Sequence, residues 1–188
     1  MKDRFCSWMV LTLLGAGSLG AQPWDYVYPA TERDAFASAE FRLGWSGAGS
    51  PRAVIVVVGA QNEDTRAEAV GGRYAAVAAE TQSAVLGCKF VNRPGLDFSQ
   101  TERGGRTALL ECLRSLARQS EALRDLDRAN LIMVGNLAGA QFVYEFANSE
   151  SNRVAGFVGV NPYYFNRPVT GGLRKIPGLF LTEKPNTM

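Results

Sequence analysis

Mostly apolar runs, one of them almost entirely β-branched, recur along the chain and are separated by segments with helical spacing. The runs cover residues 53–58, 84–91, 130–134, 154–160 and 178–182. Runs that are apolar on both faces are typical of strands buried on both sides in a parallel sheet. An Ala-rich segment over 66–82, interrupted near Gly71 and Gly72, and segments over 107–123 and 138–148 predict helices. Strands and helices are therefore expected to alternate.

This alternation predicts an α/β fold, a three-layer sandwich with a mostly parallel sheet. Ahead of it, residues 22–38 are expected to form an extended lead-in, residues 40–46 an early strand and residues 47–51 a turn. The expected organisation is a signal peptide over 1–21, a lead-in with the first strand over 22–50, and the α/β domain over 51–188. In such sheets the working residues lie in loops at the carboxyl ends of strands.

The N-terminus has the pattern of a secretory signal peptide. Lys2 and Arg4 precede an apolar core over Trp8–Leu14, and small residues follow to Ala21. The core is shorter than the ~20 residues of a membrane-spanning helix, so we expect cleavage, no membrane span afterwards, and a secreted or periplasmic product. Gly15–Gly20 also spells G-x-G-x-x-G, but no helix pattern follows it, which favours the signal peptide over a dinucleotide site.

Composition excludes several classes of function. The 188 residues carry a net charge of +2 and no basic run interleaved with aromatics, so no nucleic-acid partner is expected. There is no histidine, which rules out a Ser-His-Asp triad or an imidazole metal site within this chain. No metal or other cofactor is predicted. Of the three cysteines, Cys6 would leave with the signal peptide; Cys88 and Cys112 could form a disulfide or remain two buried thiols.

The loop after the third long run has the frame of a nucleophile elbow. Gly135-Asn136-Leu137-Ala138-Gly139 matches G-x-S-x-G, in which two small residues allow a sharp strand-to-helix turn and the central residue is exposed at its tip. A serine there would be the attacking hydroxyl. Leu137 has no such group.

Several segments together resemble the α/β-hydrolases, closest to secreted bacterial esterase and depolymerase-like members related to dienelactone hydrolases. The resemblance covers residues 52–184. Residues 53–62 resemble the strand and oxyanion loop, 135–146 the elbow and its helix, 154–164 the next strand and loop, and 177–184 the strand that leads to a catalytic acid. It implies an esterase-like fold, but Leu137 occupies the nucleophile position, Pro185 the acid position, and the chain ends before the position of the histidine. All three triad members are absent, and the C-terminal strand and helix of the family are expected to be missing.

The resemblance also implies residual binding positions. The backbone N–H of Ala138 and Gln61 would supply oxyanion donors, with Gly59, Leu137 and Tyr163 beside them, and a small ester or carboxylate would be the ligand. For Gln61 and Asn62, ordinary turn chemistry is the alternative; Tyr163 and Tyr164 could equally cover the core. The loop carboxylates of Glu63, Asp64, Asp97 and Glu102 are expected to be solvated.

Three hypotheses remain open from the sequence. The first is a catalytically inactive hydrolase homologue that binds a ligand or a partner, including a second copy through an exposed sheet edge. The second is a truncated or decayed fragment of a secreted serine hydrolase. The third is an active hydrolase that uses residues other than a triad.

Overall fold

The computed structural model describes residues 22–164 and 171–183. Within them seven strands form one sheet: β1 (Gln22–Tyr28), β2 (Phe36–Trp45), β3 (Ala53–Val58), β4 (Ser83–Asn92), β5 (Asn130–Asn136), β6 (Val154–Val160) and β7 (Gly178–Leu181). The α-helices are α1 (Ala75–Thr81), α2 (Arg106–Ala117) and α3 (Ala138–Ser149). Residues 1–21, predicted to be a signal peptide, with Cys6 and Gly15–Gly20, and Pro185, at the predicted acid position, lie outside the described residues.

The strand order is β1-β2-β4-β3-β5-β6-β7. Strands β4, β3, β5, β6 and β7 pair in parallel, and β2 pairs antiparallel with both β1 and β4. The predicted mostly parallel α/β sheet is confirmed. Its carboxyl ends bring the loops after β3, β5 and β6 to one edge, as expected for this class of fold.

Helices cover the two faces of the sheet unequally. Helices α2 and α3 pack on one face, where Val54, Val56 and Met133 point from the strands into a large core. Within that core the rings of Phe36, Phe41, Phe98 and Phe142 surround Phe90, with centroids 4.8–5.6 Å from it. Helix α1 covers a smaller cluster on the other face, formed by Ile55, Val57, Val85 and Ala78. The sandwich therefore has a thick and a thin side.

Two predicted elements differ from the structure. The lead-in contains β1, whose residues alternate between exposed and half-buried, with Trp24, Tyr26 and Tyr28 packed against the core. Strands β1 and β2 thus belong to the same sheet as the later strands. The helix expected over 107–123 ends at Ala117, because Ser120 is extended and its hydroxyl accepts from the N–H of Ala122 to start a separate 3₁₀ turn.

Strand β7 lies at the edge of the described sheet and exposes apolar side chains. Leu179 and Leu181 are 53% and 48% exposed, on the face where α1 covers only the neighbourhood of β3 and β4. Association of two copies through this edge stays a prediction. Among the described residues, no helix combines the length and apolar character that crossing a membrane requires.

Candidate functional site

The turn between β5 and α3 has the conformation of a nucleophile elbow. Leu137 has φ 52° and ψ −113°, a combination that non-glycine residues rarely adopt and that carries backbone strain. Its N–H donates to the carbonyl of Val160 at 2.9 Å, and its carbonyl accepts from the N–H groups of Ala140 and Gln141 at 3.0 and 3.2 Å. These bonds hold the turn between β6 and the first turn of α3.

Two glycines allow this turn to pack against its neighbours. A Cβ on Gly135 would lie 2.2 Å from the carbonyl oxygen of Gly139, and a Cβ on Gly139 would lie 2.1 Å from the carbonyl oxygen of Val58. Both contacts are with backbone, which cannot rotate away. The strand–turn–helix context predicted for the Gly135–Gly139 motif is thus present, with a half-buried leucine at the nucleophile position.

The loop after β3 packs directly against the elbow. A Cβ on Gly139 would also lie 2.5 Å from the carbonyl oxygen of Gly59. Thr65 anchors the far end of this loop: its buried hydroxyl lies 2.7 and 2.8 Å from the carbonyls of Val57 and Cys88 and accepts from the N–H of Cys88 at 2.8 Å. The loop is therefore held at the carboxyl ends of β3 and β4.

Within the loop, the N–H of Ala60 donates to a carboxylate oxygen of Glu63 at 2.7 Å. The N–H of Glu63 donates back to the carbonyl of Ala60 at 3.1 Å, which closes a turn with Asn62 in the left-handed region at φ 60°. The side-chain amide of Gln61 is exposed and only approaches a carboxylate oxygen of Asp97, at 3.4 Å. A donor role for Gln61 stays a prediction.

Across from this loop, Ala138 is the first residue of α3. The first N–H groups of a helix have no acceptor within the helix. The helix itself therefore leaves the N–H of Ala138 without an acceptor, and a role for it as an oxyanion donor stays a prediction.

A cavity of about 390 Å³ opens at the carboxyl ends of β3, β5 and β6, on the side of α1. Its apolar part is formed by Val57, Val134 and Val160, and its polar part by Glu63, Asp64, Glu68, Arg73, Tyr74 and Asn136. Of the predicted binding positions, Gly59 lines it. Gln61, Leu137, Ala138 and Tyr163 are not among the described residues that do.

The polar side of the cavity is largely paired within the protein. The backbone N–H and the Nε of Arg73 each donate to a carboxylate oxygen of Glu68 at 2.9 Å, and the guanidinium lies 5.9 Å from the ring centre of Tyr74. Burial raises the pKa of the Tyr74 hydroxyl above its ordinary value. Hydrogen bonds from Arg66 lower the pKa of Asp64 to about 2, so that carboxylate is ionised at neutral pH.

The other predicted residues are more dispersed. Tyr163 is exposed, and Tyr164 lies close enough to Asp97 for that carboxylate to contribute, after burial, to the raised pKa of its hydroxyl. Cys88 and Cys112 are both buried free thiols, with no disulfide between them in the structure, and burial raises the pKa of each. Within the described residues, no group of three His, Cys, Asp or Glu side chains is placed to hold a metal ion.

Sequence analysis missed the residues of the cavity. Arg73, Tyr74 and Asn136 were not assigned to a site, and Glu63, which is exposed, was not expected to line a cavity. One available signal was position: Asn136 directly precedes Leu137 in the elbow, and Glu63 stands three residues after Ala60, where a side chain can reach back to a turn N–H. Arg73 and Tyr74 lie in the interruption of the Ala-rich segment, and only the folded chain brings them to the sheet edge.

Solved structures with similar folds include two esterases and a depolymerase. A thermostable esterase aligns with TM-score 0.59 and 14% identity over 85% of this chain and 45% of its own. A bacterial heroin esterase aligns with TM-score 0.57 and 15% identity over 83% of this chain and 49% of its own. LpqC, a poly(3-hydroxybutyrate) depolymerase from Bordetella parapertussis, aligns with TM-score 0.58 and 16% identity over 86% of this chain and 65% of its own.

These likenesses show that the chain has the α/β-hydrolase fold that those structures share. This chain spans 45–65% of the length of those three structures. No protein-family model and no curated protein matches the sequence. Similarity at 14–16% identity establishes the fold and leaves the activity to be argued from the site.

Proposed function

We propose that this α/β-hydrolase-fold chain binds a small ester-type ligand without hydrolysing it. The observation that carries the proposal is Leu137, which occupies the strained tip of an otherwise complete elbow. An aliphatic side chain has no atom that can attack an ester carbonyl, and no catalytic base or acid elsewhere in a protein can change that. Under this proposal covalent catalysis at the elbow is lost, and the N–H of Ala138, which has no acceptor within its own helix, serves as a donor for a ligand carbonyl.

The cavity favours an uncharged ester over a carboxylate. Two carboxylates of its lining are paired with arginines, Asp64 with Arg66 and Glu68 with Arg73, and that of Glu63 adds a negative charge without an ion pair among the described residues. A ligand carboxylate would meet like charges, whereas an ester has no charge to repel and can place its alkyl part against Val134. Ligand sites of this kind are mostly apolar with a few oriented polar groups.

Hydrolysis of p-nitrophenyl butyrate tests the first half of the proposal. The expected rate is that of buffer alone, for both the native chain and Leu137→Ala. Turnover by the native chain that Leu137→Ala retains and Glu63→Ala abolishes would overturn the proposal. It would support instead an active hydrolase that uses other residues.

Ligand binding tests the second half. Ethyl butyrate at ten times its dissociation constant should stabilise the native chain by about 1.4 kcal/mol, seen as a rise in melting temperature. Ala67→Trp fills the cavity from an exposed position on its lining and should abolish that rise. Ala76→Trp, exposed on α1 away from the lining, is the matched control and should keep it. Equal responses in both variants would place the ligand elsewhere.

We also propose, on the N-terminal sequence pattern alone, that the protein is exported with cleavage near Ala21. Expression in a bacterial host followed by mass measurement of the periplasmic product should give a chain that starts near Gln22. An intact chain confined to the cytoplasm would contradict this.

A further inference from the structure

The side chain of Glu63 is exposed to solvent, and its carboxylate folds back onto its own loop. One carboxylate oxygen lies 2.7 Å from the backbone nitrogen of Ala60. A Cβ on Gly59 would lie 2.7–2.8 Å from the Oε2, Cβ and Cδ of Glu63. Gly59 therefore provides the space in which the carboxylate sits, and any side chain at that position would displace it.

This carboxylate sits where the loop, the elbow and the cavity meet. Glu63 and Gly59 line the cavity together with Gly135 and Asn136 of β5, the strand that leads into the elbow. Because α3 packs on the carbonyls of Val58 and Gly59, the N–H of Ala60 belongs to the backbone nearest the elbow. Within this loop, the N–H of Ala60 donates a hydrogen bond to the side chain of Glu63, which lines the cavity.

A ligand carbonyl that approaches the N–H of Ala60 must compete with the carboxylate of Glu63, which already accepts its hydrogen bond. Hydrogen bonds to a carboxylate are shorter and roughly twice as strong as those to a neutral acceptor. The carbonyl oxygen of an ester is such a neutral acceptor, so it must displace a better competitor that is tethered in the same loop. The side chain of Glu63 is held in the loop by the Ala60 contact, and no ion pair to it is formed among the described residues.

We infer that Glu63 is an internal competitor: its carboxylate occupies the Ala60 donor, lowers the affinity for neutral carbonyl ligands and excludes anionic ones. The inference rests on the proposed ester-type ligand and adds the residue that sets its specificity. Displacement of the Glu63 carboxylate frees the N–H donor of Ala60, the residue after Gly59 of the cavity lining. A ligand that supplies a carbonyl oxygen there needs no charge of its own.

Three substitutions of Glu63 separate the effect of its hydrogen bond to the N–H of Ala60 from the effect of its negative charge. Glu63→Asp keeps the charge but is one methylene too short to bond the N–H of Ala60 in the same turn. Glu63→Gln loses the charge but keeps an oxygen of the same reach. Glu63→Ala loses both. Glu80→Ala, an exposed carboxylate on α1 outside the cavity lining, is the matched control.

The experiment records the ¹H–¹⁵N signal of the Ala60 amide in the full chain and titrates each variant with ethyl butyrate and with butyrate. The amide proton should move upfield in Glu63→Asp and Glu63→Ala, and stay near its native position in Glu80→Ala. Affinity for ethyl butyrate should rise about fivefold or more in Glu63→Asp and Glu63→Ala, with a smaller rise in Glu63→Gln. Butyrate should bind measurably only to Glu63→Ala.

Two results would overturn the inference. One is an increase in ester affinity in Glu63→Gln and Glu63→Ala but not in Glu63→Asp, which would show a charge effect without occupancy. The other is an absence of ethyl butyrate binding in every variant. Ester turnover by the native chain is a different result: it would refute the non-hydrolytic function, while the Ala60 signal would still report whether Glu63 occupies the donor.

Discussion

Replacing Gly139 by alanine should destabilise the protein strongly, because the elbow helix contacts the end of β3 through backbone. The added Cβ would lie 2.1 Å from the carbonyl oxygen of Val58 and 2.5 Å from that of Gly59, well inside the 3.0 Å that real Cβ atoms respect. Neither oxygen can rotate away. The N-terminus of α3 must therefore shift by about an ångström, and with it the fully buried Phe142 and Phe146.

Overpacking of this kind typically lowers the free energy of unfolding by about 1–3 kcal/mol. Because the atoms that the new Cβ meets are all backbone atoms, we expect Gly139→Ala to lie at the upper end, at about 3 kcal/mol. For a chain of this size that corresponds to a fall of about 6–12 °C in melting temperature. The assay is thermal unfolding followed by circular dichroism, with urea titration for the free energy of unfolding. Gly49→Ala is the matched control, because a Cβ there meets nothing within 4 Å.

The control should change the free energy of unfolding by less than about 1 kcal/mol, in the stabilising direction if at all. If Gly139→Ala melts within about 2 °C of Gly49→Ala, α3 does not approach β3 this closely and the elbow geometry described above is wrong.

Three further expectations concern the elbow, the thiols and one ion pair. Leu137→Ser should gain no turnover of p-nitrophenyl butyrate, because the sequence contains no histidine to accept the proton of the new hydroxyl; hydrolysis above buffer would reveal another base. Cys88 and Cys112 should stay unmodified by iodoacetamide in the native protein and react after unfolding, because burial raises both thiol pKa values; peptide mapping that finds rapid native labelling would contradict this. Arg66 lowers the pKa of Asp64 to about 2, so this carboxylate stabilises the fold above its unfolded pKa and loses that contribution as the pH falls from about 4 to 2. Urea titrations from about pH 5 to about pH 2.5 should therefore show a smaller loss of stability in Asp64→Asn than in the native chain, and equal losses would contradict the assignment.

The architecture was largely predictable because buried parallel strands leave a strong signal. Strands β3 and β6 match the predicted runs at both ends, since Ala53–Val58 and Val154–Val160 are bounded by turn residues. Strand β1 was harder, because its inward residues Trp24, Tyr26 and Tyr28 are only half-buried and alternate with polar neighbours near a proline. An aromatic every second residue was the available sign of a strand.

The site was predictable only where a motif fixes the backbone. Gly135 and Gly139 identified the elbow, since a sharp turn between a strand and a helix in close contact requires small residues at those positions. The polar cavity depends on side chains from three separate segments, such as Glu63, Arg73 and Asn136, that only the fold brings together. No local pattern in the sequence encodes the direction in which Glu63 turns.

Leu137 shows why this fold does not by itself imply hydrolysis. A residue in that backbone region carries about 1–3 kcal/mol of strain, which in an active hydrolase serves to present the nucleophile. Here the strain persists with a leucine, held by the Val160 carbonyl on one side and the packing of Gly139 on Val58 on the other. The elbow is also the turn that connects β5 to α3 where α3 packs against the end of β3. This packing maintains the turn whether or not residue 137 carries a hydroxyl. Whether the elbow can supply a nucleophile then depends on the side chain at position 137, a single residue whose chemistry the fold does not fix.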